Sequence, residues 1–206
     1  MKKIIFILSL CLVLANMAYS QTVFIGNQVW MTENLNVDKF RNGDLIPEAK
    51  TEADWLLAGE NKQAAWSYYN NEPANDKKLH KLYNWYAVND PRGLDPDGWK
   101  VPSEAEWTAL IDYLGGEGVA GSKLKSTSGW EENGNGTNES GFSALRGGFR
   151  NAAGQFDLIN THGGWWSSTE KDTAEAFHRH MNSSGGKIYG GTFSKTTGFS
   201  VRCLRN

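Results

Sequence analysis

Gly98–Gly116 reads GWKVPSEAEWTALIDYLGG, and its reading decides the fold. Ser103 followed by Glu106 forms a capping box: the serine oxygen accepts from a first-turn amide while the glutamate reaches back to the Ser103 amide. Trp107, Leu110, Ile111 and Leu114 recur at i, i+3, i+4 and i+7, which gathers four large apolar side chains on one helical face. Gly115 and Gly116 supply the positive φ that ends a helix at little cost. Start, buried face and stop agree, so the spacing predicts a helix over about residues 103–114. Its apolar stripe needs a partner surface, and the segments on either side supply strands.

The chain opens with a targeting pattern. Lys2 and Lys3 precede the apolar run Ile4–Leu14, and Ala18-Tyr19-Ser20 places small residues where a signal peptidase cuts. Residues 1–20 are therefore read as a signal peptide and 21–206 as one domain, delivered outside the cytoplasm: secreted, periplasmic or on the cell surface. The run is too short for a membrane helix, which needs about 20 predominantly apolar residues. Leu10 stands where a lipidated Cys11 would want a small residue, which argues against a lipid anchor. Without Lys2 and Lys3 the chain is two units more acidic than its formal net charge of −2. That balance argues against nucleic acid, whose binding depends on clustered Lys and Arg. Cys203 is the one cysteine after residue 20, so no intrachain disulfide forms, and stability must come from packing. All nine tryptophans lie beyond the signal segment, which points to one loop-rich domain with a large aromatic core.

Outward from the helix, Val23-Phe24-Ile25 and Val29-Trp30-Met31 flank Gly26-Asn27 and read as a β-hairpin. Asp38–Pro47 reads as loop. Thr51–Ala58 reads as a short helix with Thr51 as N-cap and Trp55 and Leu56 turned inward. Trp66–Tyr69 is β-prone and Asn70–Lys78 a polar connection, while Lys81–Val88 suits a strand and a helical turn equally well. Asp90–Gly98 carries two prolines and two glycines and is irregular. Glu131–Ser140 has no apolar residue and reads as loop. Phe142–Leu145, Gly148–Arg150, Trp165–Ser168, Ala176–Met181, Lys187–Tyr189 and Gly198–Leu204 read as short strands. The fold class is α+β, with two main helices, short antiparallel strands and long loops.

Six segments in order, IGNQVWMTENLNV, LYNWYAV, GWKVPSEAEWTALIDYLGG, GTNESGFSALRGGFR, GGWWSSTE and GFSVRCLRN, together resemble the Fibrobacter succinogenes major paralogous domain family of secreted bacterial proteins. Arg146 departs from the pattern, standing where family members commonly carry proline. The family is in turn distantly similar to the formylglycine-generating (sulfatase-modifying) enzymes and to the C-type-lectin-like fold. The resemblance implies that N- and C-terminal strands pair, that two helices pack on the sheet, and that long loops form one face.

Candidate site residues follow from chemistry. The formylglycine-generating enzymes work with a cysteine pair, and Cys203 alone cannot make one, so an enzymatic role is not expected. Cys203 is read instead as a small buried hydrophobe. Trp130, Asn138, Glu139, Trp165, Trp166 and Glu170 are candidate ligand-binding residues, because aromatic faces stack on sugars or peptides and amides and carboxylates orient hydroxyls. The competing reading puts both Trp165 and Trp166 in the core. Glu131, Glu132, Asn133 and Asn135 sit in an oxygen-rich loop of the kind that calcium takes, or one that is simply solvated; Glu131, Asn133 and Asn135 are the candidate ligands. His178 and His180 share a strand face and are compatible with a metal, with His162 or Asp172 as further ligands; the alternative is a solvated face opposite Phe177, Arg179 and Met181. Glu104 and Glu106 are assigned to the capping box and helix surface. The expected function is a non-catalytic binding module that meets carbohydrate or a protein partner at the cell surface, as in adhesion. The alternative is a structural subunit of the envelope or of a surface appendage.

Overall fold

The computed structural model describes residues 22–75, 79–131 and 133–206. The segment read as a signal peptide, Gln21, part of the Asn70–Lys78 connection and Glu132 lie outside them. Among the described residues no helix is long and apolar enough to cross a membrane.

The opening helix forms as its sequence dictates. It spans Glu104–Tyr113 (α3 below), with Ser103 Oγ accepting from the Glu106 amide at 3.3 Å and Glu106 Oε2 accepting from the Ser103 amide at 2.8 Å. Trp107, Leu110, Ile111 and Leu114 are buried, and Gly115 and Gly116 take φ of 104° and 90°. The other elements in chain order are β1 (Thr22–Ile25), β2 (Gln28–Met31), α1 (Glu52–Glu60), β3 (Trp66–Tyr68), β4 (Lys81–Tyr83), α2 (Trp85–Val88) and β5 (Trp99–Lys100). After α3 come α4 (Glu117–Leu124), β6 (Phe149–Arg150), β7 (Phe156–Asp157), β8 (His162–Glu170), β9 (Glu175–Asn182), β10 (Ile188–Ser194) and β11 (Leu204–Arg205). Mixed helices and antiparallel strands make this an α+β fold.

β1 and β2 form the expected hairpin with Ile25 opposite Gln28, and Gly26 at φ 62° supplies the positive φ that a two-residue turn requires. β11 pairs antiparallel with β2 at Leu204–Trp30 and with β5 at Leu204–Lys100, giving the sheet order β1-β2-β11-β5. The two ends of the domain are thus joined. A second sheet, β10-β9-β8, carries one large side chain to each of two cores, because neighbouring residues on a strand face opposite ways. Trp165, Met181 and Ile188 pack with Trp30, Trp107, Leu110, Ile111 and Phe142 beneath α3 and α4, while Trp166 and Ala176 pack with Tyr83, Trp85, Phe199 and Cys203. Cys203 is fully buried, and burial raises its thiol pKa.

The GGWWSSTE stretch docks the second sheet onto the opening helix. The register slips between Trp166 and Glu170. In that irregular stretch the Ser168 amide donates to Pro102 O at 2.9 Å and Thr169 Oγ1 accepts from the Glu104 amide at 2.9 Å. A hydroxyl from the sheet therefore caps a free first-turn amide of α3.

Several local expectations are corrected. Lys81–Val88 is strand and helical turn in succession, divided by Asn84, whose side chain caps α2 by accepting from the Ala87 amide. α1 turns Trp55, Ala58 and Gly59 inward, and Leu56 is 42% exposed. α4 escaped the sequence reading because Gly118 and Gly121 weaken the helical pattern. Gly121 is required all the same, since a Cβ there would lie 2.6 Å from Lys187 O. Phe142–Leu145 is not a strand, although Ala144 makes an isolated bridge to Lys125. Gly198–Ser200 runs through isolated bridges to Arg150, Tyr83 and Trp165, and regular pairing begins only at Leu204. Glu104 is not a solvated helix-surface residue: it is ion-paired to the buried Arg179 guanidinium, and burial raises its carboxyl pKa.

A buried polar hub ties the terminal strand to the N-terminal segment. Arg202 is fully buried, and among the described residues no carboxylate pairs with it. It donates from Nε and Nη2 to Asn34 Oδ1 (3.2 and 2.8 Å) and from Nη1 to Met31 O (3.1 Å) and Phe142 O (2.6 Å). Asn34 Oδ1 also accepts from Trp165 Nε1 at 2.8 Å, and Asn34 Nδ2 donates to Ser200 Oγ at 3.2 Å. One amide thereby holds three segments far apart in sequence.

Candidate functional site

The oxygen-rich loop that follows Trp130 folds back onto the C-terminal end of α4. The Thr137 amide donates to Ser122 O (2.8 Å), the Gly136 amide to Ser126 O (2.9 Å) and the Ser122 amide to Gly186 O (3.0 Å). These bonds bring three pieces of chain together: α4, the loop, and the turn between β9 and β10. Glycine makes the approach feasible, because a Cβ at Gly134 would lie 2.5 Å from the Ser183 backbone and one at Gly136 would run into the Ser122 and Lys125 carbonyls.

Between these pieces lies a polar cleft of about 330 Å³, lined by Ser122, Lys125, Asn133, Gly134, Asn135, Ser183, Ser184, Gly185 and Gly186. Lys125 is buried at its base. Its ammonium donates to Gly185 O (2.7 Å) and Asn182 O (3.1 Å) and lies 5.2 Å from the Trp130 ring, and burial lowers its pKa. Amide, hydroxyl and backbone groups at the rim both donate and accept, which suits a ligand rich in hydroxyls.

Of the residues expected at a site, Asn133 and Asn135 line this cleft. Asn135 Oδ1 accepts from the Trp130 amide at 2.9 Å and so fixes the loop entry. Glu131 Oε1 accepts from Asn160 Nδ2 at 2.9 Å instead of joining them. The structure does not bring the other candidates to the cleft. Asn138 closes a local turn, with Oδ1 accepting from the Ser143 amide and Nδ2 donating to Ser143 Oγ. Glu139 is exposed near Lys123 at 3.9 Å. Glu170 is ion-paired to Lys195, whose ammonium lies 4.8 Å from the Trp85 ring. Trp130, Trp165 and Trp166 are core residues with no open ring face. Trp165 and Trp166 donate inward to Asn34 Oδ1 and Tyr83 O, and Trp130 donates to Ala144 O. The sequence reading missed Lys125, Ser183 and Ser184, because their convergence depends on α4.

A second concavity of about 200 Å³ lies on the far face of the β8-β9-β10 sheet. It is lined by Phe149, Leu158, Phe193, Phe199 and three imidazoles, those of His162, His178 and His180. His178 and His180 do share a strand face, and His162 joins them from β8, whereas Asp172 is occupied by the Ala174 and Glu175 amides. The face is only partly solvated: His178 is buried, packed edge-on to Phe193 and parallel to Phe199, while His162 and His180 are half-buried. Desolvation lowers its pKa to about 4 and lowers those of His162 and His180, so all three are neutral near pH 7. Among the described residues no group of three or more His, Cys, Asp and Glu side chains converges on one metal position.

Comparison with known families matches residues 23–205 to the Fibrobacter succinogenes major domain. No curated protein and no solved structure matches the chain. The match covers nearly all of the described residues, and the chain belongs to that family.

Proposed function

We propose that this member of the Fibrobacter succinogenes major domain family is a non-catalytic, extracytoplasmic binding module that recognises carbohydrate through the polar cleft between α4, the 131–137 loop and the β9–β10 turn. The observation that carries the reading is the cleft itself: about 330 Å³ bounded by Asn133, Asn135, Ser183 and Ser184, with the buried Lys125 ammonium at its base. Recognition there rests on hydrogen bonds to hydroxyls and not on ring stacking, since the neighbouring Trp130 is buried. Lys125 disfavours calcium in the same space, because a fixed positive charge repels a cation. The pairing of terminal strands, the two helices α3 and α4 packed on a sheet and the loops gathered at the cleft support a lectin-like scaffold.

The test is a glycan array probed with the mature chain and with Gly185→Trp. A Cβ at Gly185, which lines the cleft, meets no atom within 4 Å, so the backbone accepts a side chain there, and the indole is expected to obstruct the cleft. Binding to a defined glycan class that the variant loses supports the proposal; an array without hits for the wild type refutes it.

One observation favours the alternative of a structural subunit. β1 is an edge strand, and Phe24 (76% exposed) and Tyr113 (66% exposed) line a common hollow beside it. An open edge with apolar neighbours is a template for strand pairing with another chain. A mature chain that sediments as a monomer at high concentration counts against this reading.

A further inference from the structure

The hydrogen bonds of the histidine pocket fix which ring nitrogens carry protons. Gly191 O can only accept, so at 3.1 Å from His178 Nδ1 it requires the proton there. Neutral His178 therefore has a bare Nε2, which at 3.1 Å must accept from His180 Nδ1. The two rings are parallel to within 2°, with centroids 5.1 Å apart. His180 is thus also an Nδ1–H tautomer, and its Nε2 carries only a lone pair. His162 reaches the same state independently. The Thr161 hydroxyl proton is used on Leu158 O (3.2 Å), so Thr161 Oγ1 accepts from His162 Nδ1 at 3.1 Å and leaves His162 Nε2 bare. A neutral imidazole with one nitrogen protonated is an acceptor at the other.

The remaining lining is apolar: Phe149, Leu158, Phe193 and Phe199, with Gly148, Gly163 and Gly164 contributing backbone. Among the described residues no carboxylate, lysine or arginine lines the pocket. Arg179, between the two histidines in sequence, points through the sheet to Glu104, Glu117 and Thr108. Tyr189 flanks His180 in near-parallel planes at 5.1 Å. A charged ligand would be buried here without a counter-charge, which is costly, and an apolar one would leave the acceptors unsatisfied. The volume suits one ring with a substituent, since a dry cavity of roughly 150 Å³ holds benzene.

We propose that this pocket is a binding site for a neutral single-ring aromatic bearing an O–H or N–H donor, a phenol in the simplest case, which packs on Phe149, Phe193 and Phe199 and donates to the bare Nε2 of His180 or His162. The site is separate from the carbohydrate cleft, and either can fail without the other.

The experiment titrates phenol, toluene and benzoate into 15N-labelled mature protein, following the histidine side-chain nitrogens by NMR. Phenol is expected to bind saturably at pH 7.5 and at least about tenfold tighter than toluene, since a site built for a donor rejects the isostere lacking it. The Nε2 resonances of His180 or His162 move with phenol and not with toluene, and benzoate binds weaker than either. His180→Phe with His162→Phe keeps the ring shapes and removes the nitrogens, so phenol and toluene become equal in that variant. N-acetyltyrosinamide distinguishes the source: affinity matching phenol assigns the pocket to a peptide-borne tyrosine, and at least tenfold weaker binding assigns it to a free phenol, both within the proposed chemistry. Equal binding of toluene and phenol to the wild type, tighter binding of benzoate, or a wild-type spectrum with protons on Nε2 of both His162 and His180 would overturn the proposal. The wild-type measurements decide the matter even if the double variant does not fold.

Discussion

Replacing Asn34 by leucine tests the hub that holds the domain's two ends together. Leucine is close in size to asparagine, so the dominant effect is the loss of one oxygen that accepts from Trp165 Nε1 and from Arg202 Nε and Nη2. The orphaned buried indole N–H costs about 1–3 kcal/mol, and bonds from a charged donor are each worth about 1.5–3 kcal/mol. Since the three bonds share an acceptor their losses do not add, and the added apolar side chain offsets part of the sum. The expectation is a destabilisation of roughly 3–5 kcal/mol, one orphaned indole N–H plus the lost bonds from the guanidinium, less the partial offset. Asn34→Asp keeps the acceptor and places a carboxylate against a guanidinium that has none, so its loss is expected within about 2 kcal/mol of wild type, because only the Nδ2 donations disappear. Guanidinium unfolding of both variants, read as the shift in midpoint at constant slope, measures the difference. An Asn34→Leu variant within 1 kcal/mol of wild type, on the ~1 kcal/mol worth of one ordinary hydrogen bond, or an Asn34→Asp variant equally unstable, refutes the reasoning.

Further predictions follow from the same geometry. His178 has its pKa lowered from 6.5 to about 4 in the folded protein, so the unfolded chain binds the extra proton between those values. Stability contributed by the neutral ring is complete above pH 6.5 and declines as pH falls toward 4, by roughly 3 kcal/mol in all. His162 and His180 shift in the same direction, so a urea midpoint that stays flat from pH 7 to 5 contradicts the buried, neutral cluster. In α4, Gly121→Ala is expected to cost about 1–3 kcal/mol by overpacking against Lys187 O. Gly118→Ala, which meets nothing within 4 Å in the same helix, is expected to stabilise by roughly 0.5–1 kcal/mol, and melting temperatures of the pair should move in opposite directions. Glu104→Gln is expected to cost less than the ~3 kcal/mol of breaking a fully buried pair, because the desolvation that raises the Glu104 carboxyl pKa offsets part of its pairing with Arg179, which Glu117 also meets; a denaturant titration that finds a loss of that full size refutes the offset.

The elements legible in the sequence are those whose signals are local. The capping box at Ser103, the Gly26 turn and the apolar face of α3 were readable because each is decided by residues within a turn or two. α4 was not, because Gly118 and Gly121 carry no helical pattern, and only Gly121 is held by close approach to another segment, the Gly186 and Lys187 carbonyls. The site was half legible for the same reason. The composition of the 131–140 loop marks it as an irregular polar segment, and Asn133 and Asn135 do line a cleft. That Lys125, Ser183 and Ser184 complete it depends on α4 and on the β9–β10 turn, and no spacing in the chain encodes that meeting. Adjacent tryptophans alternate across β8 as period two demands, yet both sides of this sheet are core, so neither ring is left open. The histidine pair was readable as a shared face. Its burial was not, because the covering Phe199 and Phe149 come from distant, nearly unpaired segments.

The cleft is the centre of the functional account, and calorimetric titration of the best array-selected oligosaccharide tests it most directly. Wild type and Gly185→Trp are compared at matched fold, checked by circular dichroism and melting temperature. The account predicts saturable binding by the wild type and at least about a tenfold weaker Kd in the variant, a loss of about 1.4 kcal/mol. Equal affinity of the two proteins would place the ligand elsewhere and contradict it.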